Sequence, residues 1–175
     1  PFEDGRLFLA YTDFYGSEPK DAGAARIMGK WSRDEGTTWS PPFLVQENIG
    51  ELNVMEASLL RLPAGRVLLS FMRKDSEGGG NLVGGRLHPM LKHSDDECQT
   101  WSEPVQMTQG DAYWCSTNDR LVRLQGGRLL LPARELGSGS HVWLSDDDGA
   151  TWRKSSENIR EPEGERYAEP TVIEL

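Results

Sequence analysis

Apolar residues in this chain fall in short runs broken by turn-forming residues, and no long stretch carries the spacing of an amphipathic helix. One phrase recurs: a strand, a tight turn ending in Gly-Arg, then an apolar strand. Met55-Glu56-Ala57-Ser58-Leu59-Leu60-Arg61-Leu62 leads through Pro63-Ala64-Gly65-Arg66 into Val67-Leu68-Leu69-Ser70-Phe71. Ser116-Thr117-Asn118-Asp119-Arg120-Leu121-Val122-Arg123-Leu124 leads through Gln125-Gly126-Gly127-Arg128 into Leu129-Leu130-Leu131. Near the start stands its second half, Asp4-Gly5-Arg6 before Leu7-Phe8-Leu9-Ala10-Tyr11; at the end stands its first half, Ala168-Glu169-Pro170-Thr171-Val172-Ile173-Glu174-Leu175. The glycines of these turns, at 5, 65 and 127, are 60 and 62 residues apart. A third strand follows each phrase, as in Ala25–Trp31 and His141–Leu144, and a fourth follows that, as in Phe43–Gln46 and Val105–Met107. Runs of this kind at this spacing predict units of four antiparallel strands.

Between the third and fourth strands lies an octapeptide, Ser-x-Asp-x-Gly-x-Thr-Trp. Ser32-Arg33-Asp34-Glu35-Gly36-Thr37-Thr38-Trp39 and Ser145-Asp146-Asp147-Asp148-Gly149-Ala150-Thr151-Trp152 fit every fixed position. Ser94-Asp95-Asp96-Glu97-Cys98-Gln99-Thr100-Trp101 departs only at Cys98. Ser and Asp bond turn backbone groups, Gly supplies a positive φ, and Trp closes the hairpin as an apolar plug. Three copies in register with the Gly-Arg phrase are the signature of a repeat fold.

This octapeptide is the Asp-box, and a chain built from it resembles the sialidase (neuraminidase) superfamily of β-propellers. Trp39-Ser40-Pro41-Pro42 and Trp101-Ser102-Glu103-Pro104 are similar to the continuation common there. The resemblance spans essentially the whole chain and implies an all-β fold of three four-stranded antiparallel blades, about half of a six-bladed propeller. The blades run over about 1–48, 49–110 and 111–160, with the first strand of a further blade over about 165–175. Two readings stay open: a piece of a longer propeller, or a half-propeller whose unpaired strands pair across a homodimer.

The chain carries 175 residues and a formal net charge of −9. That balance argues against nucleic acid or an anionic membrane as partner, while a local arginine cluster can still hold an anionic sugar. No apolar run reaches the ~18 residues that span a bilayer. The start at Pro1-Phe2, with neither initiating Met nor signal peptide, reads as processed, trimmed or partial, and an extracellular or periplasmic location follows only from the resemblance. Cys98 and Cys115 are expected at opposite ends of the fold as free thiols. His88, His93 and His141 lack metal-ligand spacing, and no metal or cofactor is expected. Gly78-Gly79-Gly80 with Gly84-Gly85 reads as a flexible insertion, since the strand-to-helix context of a phosphate loop is missing.

In a propeller, ligand-facing residues precede the first strand or follow the second of each unit. Aligning the inner strands puts Glu56, Asn118 and Glu169 in one polar column. The outgoing ends of the second strands supply Asp13, Arg73 and Arg134. Sialidases clamp a substrate carboxylate with arginine forks and use a Tyr nucleophile polarised by a Glu, with an Asp as acid/base. The resemblance therefore implies catalytic roles for Glu56, Asp13, Asp119, Tyr167 and Glu169. It implies substrate binding by Arg73, Arg134 and Asn118, with Trp114 stacking on a sugar ring. The Arg-Ile-Pro phrase that carries the first clamp arginine in many sialidases is missing. The box acids Asp34, Asp96 and Asp147 read as structural. The expected function is a sialidase-like glycoside hydrolase, or part of one, acting on terminal, acidic sugars of glycans; the alternative is a non-catalytic propeller that binds carbohydrate or protein.

Overall fold

The computed structural model describes residues 4–16, 21–79, 82–160, 162 and 169–175, and every regular element among them longer than one residue is a β-strand. The first sheet holds β1 (Leu7–Phe14), β2 (Ala25–Ser32) and β3 (Phe43–Gln46). The second holds β4 (Asn53–Arg61), β5 (Val67–Ser76), β6 (Arg86–Ser94) and β7 (Val105–Gln106). The third holds β8 (Trp114–Cys115) and β9 (Val122–Arg123), both on β10 (Leu129–Glu135), followed by β11 (Gly139–Ser145) and β12 (Arg153–Lys154). Neighbouring strands run antiparallel, and none of the three sheets closes on itself.

β5 explains why the sheets stack. Its run Val67-Leu68-Leu69-Ser70-Phe71-Met72 is buried throughout, because both faces are covered. Leu69 and Phe71 join Ile27 and Val45 of the first sheet in one apolar cluster. Leu68 and Met72 join Trp114, Leu129 and Leu131 of the third in another. Period-two geometry sends alternate residues to opposite faces, so a sandwiched strand reads as a continuous apolar run.

Each box folds the same way. In the first, Ser32 Oγ donates to Asp34 Oδ1 (2.8 Å) and accepts from the Gly36 N–H (2.9 Å). Asp34 also accepts from the Thr38 N–H (2.8 Å) and hydroxyl (2.6 Å). The boxes at Asp96 and Asp147 repeat this set. Cys98 replaces glycine at φ 65°, a left-handed conformation uncommon for side-chain-bearing residues. Its side chain turns inward beside Val67 and Trp101, and burial pushes the thiol up to about 12. Both cysteines are free.

These bonds hold Asp34 and Asp96 down at about 2 and lower Asp147 as well, with the threonine hydroxyl the largest cause. A depressed carboxylate stabilises the fold above its unfolded pKa and loses that contribution as pH falls through the folded value. We therefore expect the melting temperature to drop between about pH 4 and pH 2, and Thr38→Val to make the drop smaller and end it at higher pH, because the onset is set by the unfolded carboxyl. A melting temperature flat over that window would show that the boxes do not couple protons to folding.

The arginines of the Gly-Arg turns have a role the sequence does not announce. Arg66 grips Asp95 (2.6 and 3.0 Å), and Arg128 grips Asp146 (2.5 and 3.2 Å), each the second residue of its own sheet's box. In the first box that position is Arg33. Arg6 turns instead to Asp4 (2.6 Å) and reaches across to Glu97 of the second sheet (2.8 Å).

Candidate functional site

The inner strands and the segments around them converge on one rim, at the opposite ends of the sheets from the boxes. Glu56 sits where the register of β4 against β5 shifts, between Met55 and Ser58, at φ 61°. Asp119 and Glu169 also adopt left-handed backbone, both at φ 56°. Each such residue stores about 1–3 kcal/mol of strain, so their recurrence as three acidic positions marks a built feature. Alignment of the sequence puts Asn118 in that column, but the left-handed residue of the third repeat is Asp119. The inner strand of the third sheet is interrupted over residues 116–121, where β4 has only a bulge.

The Glu56 carboxylate accepts the Asn118 N–H at 3.0 Å, and the Glu56 N–H donates to Thr12 Oγ1 at 3.2 Å. Ser58 Oγ accepts the Leu121 N–H at 3.1 Å. Glu56 thus ties β1, β4 and the 116–121 segment together. Burial pushes its carboxyl up; the Asn118 N–H opposes this, and the charges of Asp21 and Glu169 push it further. Tyr113, just before β8, is pushed up to about 12 by burial, then by Cys115, Glu77 and Asp21, with Arg134 opposing. The Cys115 thiol is raised by burial and by Glu56 and Glu169. Glu56, Glu169, Asp21, Tyr113, Cys115 and Arg134 therefore share one electrostatic neighbourhood, in which the raised Glu56 carboxyl is suited to proton transfer.

Other expected site residues lie elsewhere. Asp13 is held by Arg26 (2.9 Å), its register partner, whose guanidinium lies over Tyr15 at 5.3 Å. Arg73 donates to Asp75 (3.0 Å) and Gln106 (3.2 Å). It stands seven residues after Arg66, whereas Arg134 stands six after Arg128, so the two project from opposite faces of their sheets and form no matched pair. The stacking role of Trp114 is corrected: the indole is 2 % exposed, packed edge-on to Trp143 at 5.1 Å with Lys154 over its ring. Burial in the core between the second and third sheets leaves it no face for a sugar. Tyr167 lies outside the described residues.

Two further groupings have no matching chemistry. Ser138 Oγ and Glu135 Oε2 both approach Nε2 of His141 (3.0 and 3.4 Å). A nucleophilic triad needs one partner on each ring nitrogen. No group of His, Cys, Asp and Glu among the described residues is arranged to hold a metal ion. Sequence reasoning missed Asp21, Asn53 and Glu77 as rim residues; their roles depend on loops brought together from distant parts of the chain.

No family profile matches the chain, and no curated protein does. Solved structures do. A protein of unknown function from Dyadobacter fermentans superposes with a TM-score of 0.66 at 19 % identity, over 87 % of this chain and 51 % of that one. The Hadza microbial sialidase Hz136 gives 0.70 at 20 %, over 87 % and 35 %. Trypanosoma rangeli sialidase, solved with the inhibitor DANA, gives 0.65 at 16 %, over 87 % and 29 %. The chain has a sialidase-like fold and spans about a third to a half of the length of these proteins.

Proposed function

We propose that this chain is part of a sialidase-like glycoside hydrolase acting on terminal sugars of glycans. Its three sheets are consecutive blades, about half of a six-bladed propeller, and the rim around Glu56 is its share of the active site. The observation that carries this reading is Glu56 itself, a half-buried carboxyl on strained backbone whose pKa burial raises, with Glu169 acting on it. A carboxyl whose pKa is raised holds its proton to higher pH and can donate it to a leaving glycosidic oxygen, and a second carboxylate nearby can stabilise or activate the partner in the reaction. In this reading Glu56 is the acid, Glu169 the second carboxylate, and Asp119 and Asn118 line the approach. Arg134 supplies the cation for a sugar's acid group. Tyr167 is the nucleophile in the same reading.

A panel of fluorogenic umbelliferyl glycosides, sialosides included, tests this on the full polypeptide. Turnover of an acid-sugar glycoside is the expected result. A folded protein that releases no fluorophore from any member of the panel, at any pH, would sink the hydrolase reading.

A further inference from the structure

Residues 21–23, which lead into β2, are gripped by two buried side chains from another sheet. Asn53, fully buried at the start of β4, donates from Nδ2 to the carbonyls of Asp21 (2.7 Å) and Gly23 (2.8 Å). Lys74 is its register partner on β5 and is also buried; its ammonium donates to the same Asp21 carbonyl (3.1 Å) and to Glu77 Oε1. A buried lysine is expensive unless its donors are satisfied. Here one main-chain oxygen receives bonds from both residues, and Glu77 brings the β5–β6 loop to the same point. Three segments of the rim meet at this knot.

We propose that Asn53 and Lys74 are positioning residues: their shared grip on the Asp21 carbonyl fixes residues 21–23 at the rim and keeps the Asp21 carboxylate close enough to act on Glu56. This deepens the proposed function, and its catalytic meaning rests on that reading of Glu56. Among the described residues, groups from several segments face Glu56. Thr12 faces it from β1, Asp21 from the held turn, and Asn118 with Arg120 from the segment between β8 and β9. Glu169 acts from the last described segment, and Cys115 lies in the field of Glu56 from β8. Of the carboxylates, Asp21 raises Glu56 more than Glu169 does. A clamp that merely completed buried hydrogen bonds would affect stability and leave Glu56 alone. A clamp that places Asp21 must move the Glu56 titration when released, and only while the Asp21 charge is present.

The experiment is a double-mutant cycle read by carboxyl-carbon NMR, with the Glu56 signal assigned by its loss in Glu56→Gln. Asp21→Asn is expected to lower the Glu56 midpoint by removing a neighbouring negative charge. Asn53→Ala, which changes no charge, is expected to lower it too, because the freed turn carries Asp21 towards water. In the Asp21→Asn background, Asn53→Ala is expected to add no further shift. The proposal is overturned if Asn53→Ala leaves Glu56 unmoved, or shifts it equally with and without Asp21. Should Asn53→Ala not fold, Asn53→Ser, which keeps a single donor, is read in the same way. The titration needs no turnover: a shift without glycoside hydrolysis keeps the clamp and removes the hydrolase reading, while hydrolysis without a shift does the reverse.

Discussion

Glu56→Gln lowers kcat/KM on any glycoside the protein turns over by about 10²–10⁴-fold, the range carried by a positioned general acid, and leaves the fold intact. The glutamine oxygen can still accept the Asn118 N–H that Glu56 accepts at 3.0 Å, so the tie to the 116–121 segment survives. What disappears is the proton. The sign of the stability change follows from the raised carboxyl. A group whose folded pKa lies above its unfolded value contributes stability below the unfolded pKa and loses it as pH rises through the folded one. At neutral pH the wild-type carboxylate is therefore a burden on the fold, and the glutamine variant melts no lower than wild type. Kinetics and thermal melts on the same preparation check both halves. Unchanged kcat/KM would remove Glu56 from the chemistry; a lower melting temperature would show that the charge itself carries the tie.

Phe71→Ala is the largest expected effect on stability, about 3–5 kcal/mol by analogy with other buried aromatic truncations. Phe71 is 1 % exposed and packs with Ile27, Val45, Val54, Leu69 and Met90 between the first and second sheets. The ring is lost from a face where neither sheet can move inwards, because Leu68 and Met72 of the same strand anchor the third sheet behind it. Urea denaturation measures the change, with Val105→Ala as control. Val105 is 55 % exposed, and its truncation should stay within about 0.5 kcal/mol. A loss at Phe71 below about 1.5 kcal/mol would mean that the first and second sheets do not share this core.

The fold was readable because its signals are local. The Ser, Asp, Gly and Thr of each box satisfy one another within eight residues, and the Gly-Arg turn is a short-range device. The strands before each box, and those after the first two, stand where the apolar runs predict. The last described segment is the exception: residues 169–175 have strand-like sequence but form no strand, and Glu174 instead accepts the Gln125 N–H at 2.7 Å.

The site was less legible, and each miss has a cause. Counting residues from the inner strands matched Arg73 with Arg134, but a strand reverses the facing of its side chains at every residue, and the two arginines stand seven and six residues past Arg66 and Arg128. Trp114 beside Tyr113 suggested an aromatic platform, yet an indole of that size is more valuable to the core when two sheets close on it. The Asn53 and Lys74 grip joins residues 30 and 53 positions apart. No local pattern encodes such a contact.

The exchange at residue 33 has a consequence for how like modules come to differ. Where Asp95 and Asp146 keep their turn arginines at home, Arg33 turns its counterpart away, and Arg6 crosses to Glu97 of the adjoining sheet. A bond that closes a module on itself cannot tell one neighbour from another. A bond that leaves the module can, because only the box bearing Glu97 receives it. Duplicated pieces gain addresses in this way, with Arg6 of the first sheet meeting Glu97 of the second.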